Sequence, residues 1–511
     1  MNSLRFSLSF SLLGAALAAP TLSAKDWPMW GGGPSRNMVA DATGLPTDIV
    51  AGKFLPKTET VDPKTTKNVR WVAKLGSQSY GSPVVAGGRV FCGTNNESPR
   101  DATQIGDRGV LMCFDEKTGE LLWQLLIPKV GAGKVSDWEF VGLCSSVAID
   151  GERGYVVTNR GELVCFDVKG MSNGNDGPYL DEAKFSSVDG KPVNITDKHA
   201  DIIWVADIRN DLGIFPHNVS SCSPLVVGDK VFMATSNGVD WSHLNIPAPF
   251  APALIMVDKN TGKVLAEEAS GVSKRALHAS WSSPSYAVVK GKPTLMWGGG
   301  DGFCYGFETE PYQHPEGFPA LKELLRYDAD PPEYRTKNGA PIKYATHDGP
   351  SEIIATVVQA NDRAYLVIGQ DPEHGDGVGM MSCIDVTARG DISGKPIWVN
   401  KTLGRAISTP SVVGDLIFQA EYNGNIHCLD ATNGKILWTH ATNSRIWSST
   451  LVADGKVYCG NEDGELVILK ASRELQLIGK IDFYTPIYCT PVVANNTIFV
   501  STMTHVFAVG K

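Results

Sequence analysis

A ten-residue frame constrains this chain more than any other feature. A small residue and a proline lead two apolar residues into a Gly, Asn or Asp turn, and an aromatic follows eight residues after the proline. The frame reads SPVVAGGRVF from Pro83 to Phe91, SPLVVGDKVF from Pro224 to Phe232, TPSVVGDLIF from Pro410 to Phe418 and TPVVANNTIF from Pro491 to Phe499. It continues without the proline at Val147 and Thr450, and more loosely at Pro284 and Thr356. That makes eight starts, the closest of them about 40 residues apart. Within 410–449 apolar and polar residues alternate through PSVVG, LIFQAEY, IHCLDA and ILWTHA, broken each time at Gly or Asn. Alternation with turn punctuation reads as antiparallel strands. Four short strands in a unit of about 40 residues make one blade of a β-propeller. The pattern therefore predicts an all-β chain: an eight-bladed β-propeller of four-stranded antiparallel blades.

A second repeat sits inside the first. FDEKTGELLW (114–123) and LDATNGKILW (429–438) share an Asp, a Gly four residues on and a Trp four after that; VDKNTGKVLA (257–266) keeps the turn and places Ala266 where the Trp would be. Asp favours such a turn by bonding its own backbone, and Gly by accepting positive φ. The Trp is a large apolar plug for the outer strand. The last unit stops at VFAVGK without this segment, whereas NVRWVAKL (68–75, with Trp71) lies unattached near the other end. If it supplies the missing fourth strand, the ring closes without an open sheet edge. Residues 68–511 are then the propeller, and 25–67 an irregular N-terminal arm. Residues 308–350 carry seven prolines and a helix-like ALKELLRY, and read as an outer strand with a long excursion.

Residues 1–24 place Arg5 before an apolar run that ends in small residues, the pattern of a secretory signal peptide cleaved after Ala18 or Ala24. No later stretch has the 18 or so apolar residues of a transmembrane helix. No Cys precedes Cys92, so no cysteine at the cleavage site can carry a lipid anchor. The expected product is exported, periplasmic or extracellular, and soluble. A net charge of −9 without a Lys/Arg run argues against nucleic acid as a partner. The ten cysteines include no adjacent pair and no CxxC. Most stand in equivalent strands of different units, too far apart to bridge, so they are expected to be unpaired.

In a four-stranded blade, the loops leading into strand one and those joining strands two and three share a face. The long irregular insertions, 97–109, 235–253 and 369–381, all fall on it, and long irregular loops are where function concentrates. The same face is expected to gather His217, Trp241, His243, His278, Trp281, Asp301, His347, Asp348, Glu352, Arg405 and Trp447 around a polar, aromatic-edged pocket. Trp241, Trp281 and Trp447 suit stacking on a planar or sugar ligand, with Arg405, His217, His278 and His347 as polar contacts. In QDPEHGDG, Asp371, Glu373 and Asp376 offer hard oxygens for calcium beside flexible glycines, and His374 adds a nitrogen. Zinc through His374 with His217 or His347 is the alternative ion.

The D-x-x-T-G-x-x-x-W turns, the SPVV-type starts and the exported N-terminus together resemble the quinoprotein-type repeat propellers, over roughly 68–511. That resemblance implies the eight-bladed fold. It also implies two functional expectations: alcohol dehydrogenases that use pyrroloquinoline quinone and calcium, and non-catalytic propellers such as the BamB-like outer-membrane assembly lipoproteins. The dehydrogenase branch stacks its quinone between a Trp and a disulfide of two adjacent cysteines, which this sequence lacks. Its calcium-ligating Glu and Asn and its catalytic Asp fall on no matching motif here. The leading expectation is a non-catalytic binding propeller for an envelope protein, a glycan or a small molecule; the other is a quinone- and calcium-dependent dehydrogenase with a divergent site.

Overall fold

The computed structural model describes residues 25–188, 190–342 and 346–511, so the signal-peptide reading falls outside the described residues. Among them the strands form eight four-stranded antiparallel units. Their first strands begin at Val84, Ala148, Leu225, Ser285, Val358, Ser411, Leu451 and Val492, one residue after a frame start in seven units and two after Thr356 in the other. The eighth unit is completed from the far end of the chain: Val69–Lys74 pairs antiparallel with His505–Val509, Trp71 opposite Ala508 and Lys74 opposite His505. Leu75 N–H then donates to the Thr504 carbonyl at 2.7 Å. One apolar core cluster holds Val90 and Phe114 of the first unit, Tyr458 and Ile468 of the seventh, and Phe499 and Phe507 of the eighth. The junction between the chain's ends is thus packed like any other.

The turn-and-Trp motif proves to be a lock between neighbours. Asp115 Oδ1 accepts the Lys117 and Thr118 amides at 3.0 and 2.8 Å, and Gly119 takes φ 72°. Its missing side chain makes room for the Trp71 ring of the preceding unit, which a Cβ there would meet at 2.6 Å. Trp71 Nε1 donates to the Glu116 carbonyl in that turn, Trp123 to Val168, Trp204 to Lys259, Trp398 to Ala431 and Trp438 to Ser472. Each of these indoles therefore fastens its blade to the next one's turn. Where Ala266 replaces the Trp, a different joint appears. The outer strand Val264–Glu268 pairs in parallel with Pro319–Asp328, fusing the third and fourth units into one sheet. That partner strand contains the helix-like ALKELLRY, which is extended because it hydrogen-bonds along Phe303–Gln313. Pairing with a formed sheet overrides local helical propensity.

The arm does more than precede the ring. Going round the innermost strands, Val85 accepts from Trp27 N–H, Ile149 donates to Pro28, Tyr286 to Pro34, Gln359 to Ser35, Val452 to Met38 and Asn495 to Lys25. Asn37 brackets Val412 through both its amide groups, each at 2.8 Å. Arg36, fully buried, donates to the carbonyls of Ser223 and Pro224 in the third unit, Pro284 at the head of the fourth and Trp30 in the arm. All eight units are therefore tied to one short segment. It closes the channel on the face of the short turns and leaves the irregular-loop face open.

All ten cysteines are free thiols, nine of them buried and Cys144 half-buried. Thiol titration of denatured, unreduced protein should return ten equivalents; a value of eight or fewer would require a bridge that this packing does not contain.

Candidate functional site

On the irregular-loop face the channel widens into a cavity of about 600 Å³. Tyr80, Cys144, Ser221, Trp281, Ile354, Ile407 and Trp447 line it, each from the loop leading into a different first strand. Tyr488, from the eighth such loop, stacks between Tyr80 and Trp447 with ring centroids 5.5 and 4.6 Å away. Its hydroxyl donates to Glu462 Oε1 at 2.9 Å. Tyr422 packs edge-on to Trp447, and Trp138 lies in the opposite wall with Trp281. The charged residues of the wall are Glu139, Asp371, Glu373 and Glu462 against Arg445 alone. A wall of aromatic rings and carboxylates with one cation favours neutral or cationic ligands over anions.

Behind Trp281 lies a cluster of imidazoles. His217 and His278 ring centroids are 4.4 Å apart, and His243 is 5.0 and 4.9 Å from them. His374 adds a fourth ring 5.1 Å from His278. His217 and His278 are buried, and loss of hydration lowers each to a pKa of about 3, so both are neutral. Glu352 is fully buried 3.6 Å from His278 Nδ1, and burial raises its carboxyl to about 7. The loops that carry this group belong to the third, fourth and fifth units. Trp281 Nε1 donates to the Val219 carbonyl at 3.0 Å, which fixes the indole between the cluster and the cavity.

The structure sorts the residues expected from the sequence. Trp281 and Trp447 line the cavity; Trp241 is 59% exposed on its insertion, outside the lining. Arg405 is buried, but its guanidinium is spent on the carbonyls of His374, Gly375 and Thr346, where it pins the 371–377 loop. His217 and His278 join His374 in the cluster, whereas His347 is exposed beside Asp348. Asp371 and Glu373 reach the cavity, Asp371 also capping the turn Pro372–His374 by accepting the Glu373 amide at 2.7 Å. Burial raises the Asp371 pKa. Asp376 is exposed, and the three acidic side chains of this loop do not converge as a ligand group. His243 and Glu352 were expected only at the mouth, and belong instead to the imidazole cluster. Tyr80, Trp138, Tyr422, Tyr488 and Glu462 were missed. Tyr80 and Tyr488 carried a signal: they stand three residues before Pro83 and Pro491, as Trp281 stands before Pro284 and Trp447 before Thr450.

The fold and the repeat define a quinoprotein-type repeat propeller. The family model described as outer membrane protein assembly factor BamB matches residues 60–169, 107–296 and 384–474, and the chain belongs to that family. Among solved structures it is similar to BamB from Moraxella catarrhalis, at 13% identity and a TM-score of 0.50, covering 86% of this chain and 96% of that one. It is equally similar to a europium-containing methanol dehydrogenase, at 12% identity and a TM-score of 0.50, covering 94% and 89%. At these identities the likeness is one of fold. A stretch of 113 residues is 32% identical to the β-alanine-activating enzyme of Drosophila melanogaster, covering 19% of this chain and 11% of that enzyme's length.

Pyrroloquinoline quinone is a planar tricarboxylate. Four carboxylates against Arg445 in the wall, and cysteines that stand apart, do not fit it. Among the described residues no helix is long and apolar enough to cross a membrane.

Proposed function

We propose that this chain is an exported, non-catalytic binding propeller whose one-ended cavity takes a small neutral or cationic ligand with a flat apolar face, a saccharide being the best chemical match. The observation that carries this reading is the wall itself. Stacked aromatic rings offer faces and edges to the apolar side of a sugar ring, while Glu139, Asp371 and Glu462 offer acceptors to its hydroxyls. The plug of residues 25–45 makes the cavity a cup that a ligand enters from one side. Titration with malto-oligosaccharides and with cationic chitosan oligosaccharides, followed by tryptophan fluorescence, tests it. Saturable binding should weaken at least tenfold, about 1.4 kcal/mol, in Trp447→Ala. Binding indifferent to Trp447, or none to either series, would overturn the reading.

A second reading has its own observation. The insertion bearing Trp241 also exposes Leu244 by 63% and Phe250 by 83%, apolar surface of the kind protein partners cover. An envelope protein bound there should be lost on replacing Leu244 and Phe250 by Ser, with the melting curve unchanged.

A further inference from the structure

We infer that His217, His243 and His278, with Glu352 and His374 beside them, form a binding site for a single divalent transition-metal ion of the zinc–copper class. Three observations carry this independently of what the cavity binds. The first is convergence. One ring nitrogen from each of the three histidines lies within 4.8 Å of the others, close enough for small ring rotations to bring all three onto one ion.

The second observation is the hydrogen bonding. His217 Nδ1 lies 2.6 Å from the Val239 carbonyl, so it carries the proton and donates it; Nε2 is left as a buried lone pair without a protein partner. His278 turns Nδ1 towards Glu352 at 3.6 Å, and its Nε2 is likewise buried and unpartnered. A ligating histidine whose other nitrogen faces a carbonyl or carboxylate is the arrangement that fixes tautomer and ring orientation at metal centres. Both Glu352 oxygens also lack a protein donor, although the side chain is fully buried among the described residues. Buried polar atoms of this number are normally satisfied. A cation between the imidazoles satisfies the His217 and His278 lone pairs and leaves Glu352 facing the His278 Nδ1 proton.

The third observation is the backbone of His243. It is held at φ 57°, in the left-handed region that a non-glycine residue seldom occupies. Its loop therefore presents the imidazole at some conformational cost, as strained residues at functional sites do. The donor set decides the ion. Nitrogen-rich ligation selects zinc, copper or nickel, whereas calcium and magnesium require oxygen. The site is thus distinct from the calcium expected of the acidic loop.

The experiment uses the full mature chain, stripped with chelator, verified by circular dichroism and titrated calorimetrically with Zn²⁺. Parallel Co²⁺ loading reports nitrogen ligation by its visible absorption. One equivalent should bind, and the melting temperature should rise with free zinc. His243→Ala alters a half-exposed loop residue, and should weaken zinc at least 10–100-fold while keeping the fold; Glu352→Gln should cost about 10–100-fold through His278. His374→Ala is a second fold-sparing variant, expected to weaken zinc and perturb the cobalt spectrum. Trp447→Ala should leave zinc affinity as in the parent chain, which separates this site from the cavity. Folded protein that binds neither ion, or that binds zinc unchanged in both His243→Ala and His374→Ala, would overturn the assignment.

Discussion

Replacing Arg36 by Met is expected to lower the unfolding free energy by roughly 3 kcal/mol or more. The guanidinium is fully buried, and loss of hydration brings its pKa down to about 10, so it remains charged at neutral pH. Among the described residues it has no carboxylate partner; its side-chain bonds go to carbonyls. Its charge is dispersed over four carbonyls, those of Trp30, Ser223, Pro224 and Pro284, at 2.6 to 3.3 Å. Methionine fills much of the volume but leaves those carbonyls without their donor, at about 1–3 kcal/mol for each one truly stranded. Relief of the buried charge offsets part of that cost. Arg36→Lys should also be destabilised, because a compact ammonium cannot span acceptors that a planar fork reaches in several directions. Urea unfolding reads both: the midpoint should fall at constant slope. An unmoved midpoint in Arg36→Met would mean that the plug is held by the backbone bonds of its neighbours alone.

The largest effect is expected from a chain that begins at residue 76. It lacks the strand Val69–Lys74 and the whole arm, so His505–Val509 becomes an open edge and the channel loses its plug. It also loses Trp71, whose removal as Trp71→Ala alone should cost about 3–5 kcal/mol. Together these losses match the total stability of an ordinary domain. The truncated chain should aggregate through its free edge or melt far below the parent. A peptide covering 68–75, added in trans, should recover part of the transition, since it can re-form the ladder but not the plug. A melting curve equal to the parent's would refute closure by this strand.

Much of this was legible because repetition makes one-dimensional patterns reliable. The Pro83, Pro224, Pro410 and Pro491 frames, and their proline-free copies, each precede a first strand. The absence of a turn-plus-Trp segment after VFAVGK pointed directly to Trp71. ALKELLRY has the apolar spacing of a helix, yet it lies in the outer strand that the surrounding region was read to supply, and the deciding partner, Phe303–Gln313, is a strand that only the folded sheet provides. The cavity was half legible. At six of the eight starts the residue three places before lines the cavity, and Tyr488 stacks against two of them. At Thr356 the lining residue is Ile354, two places before, while Ile353 packs in the core. Which insertion folds over which blade leaves no such trace.

The sequence by itself determined the blade, the number of frames, the strand that closes the ring and the face on which long loops gather, because each follows from periodicity and turn chemistry within about 40 residues. Only the tertiary structure decided that Arg36 sits at the hub, that Arg405 is consumed by backbone carbonyls, and that His217, His243, His278 and His374 meet while His347 points to solvent. Those outcomes depend on contacts between residues 6 to 248 positions apart in the case of Arg36, and across three units in that of the histidines. Side-chain convergence at that range is set by how rigid blades pack around a common axis, and local sequence carries no record of it.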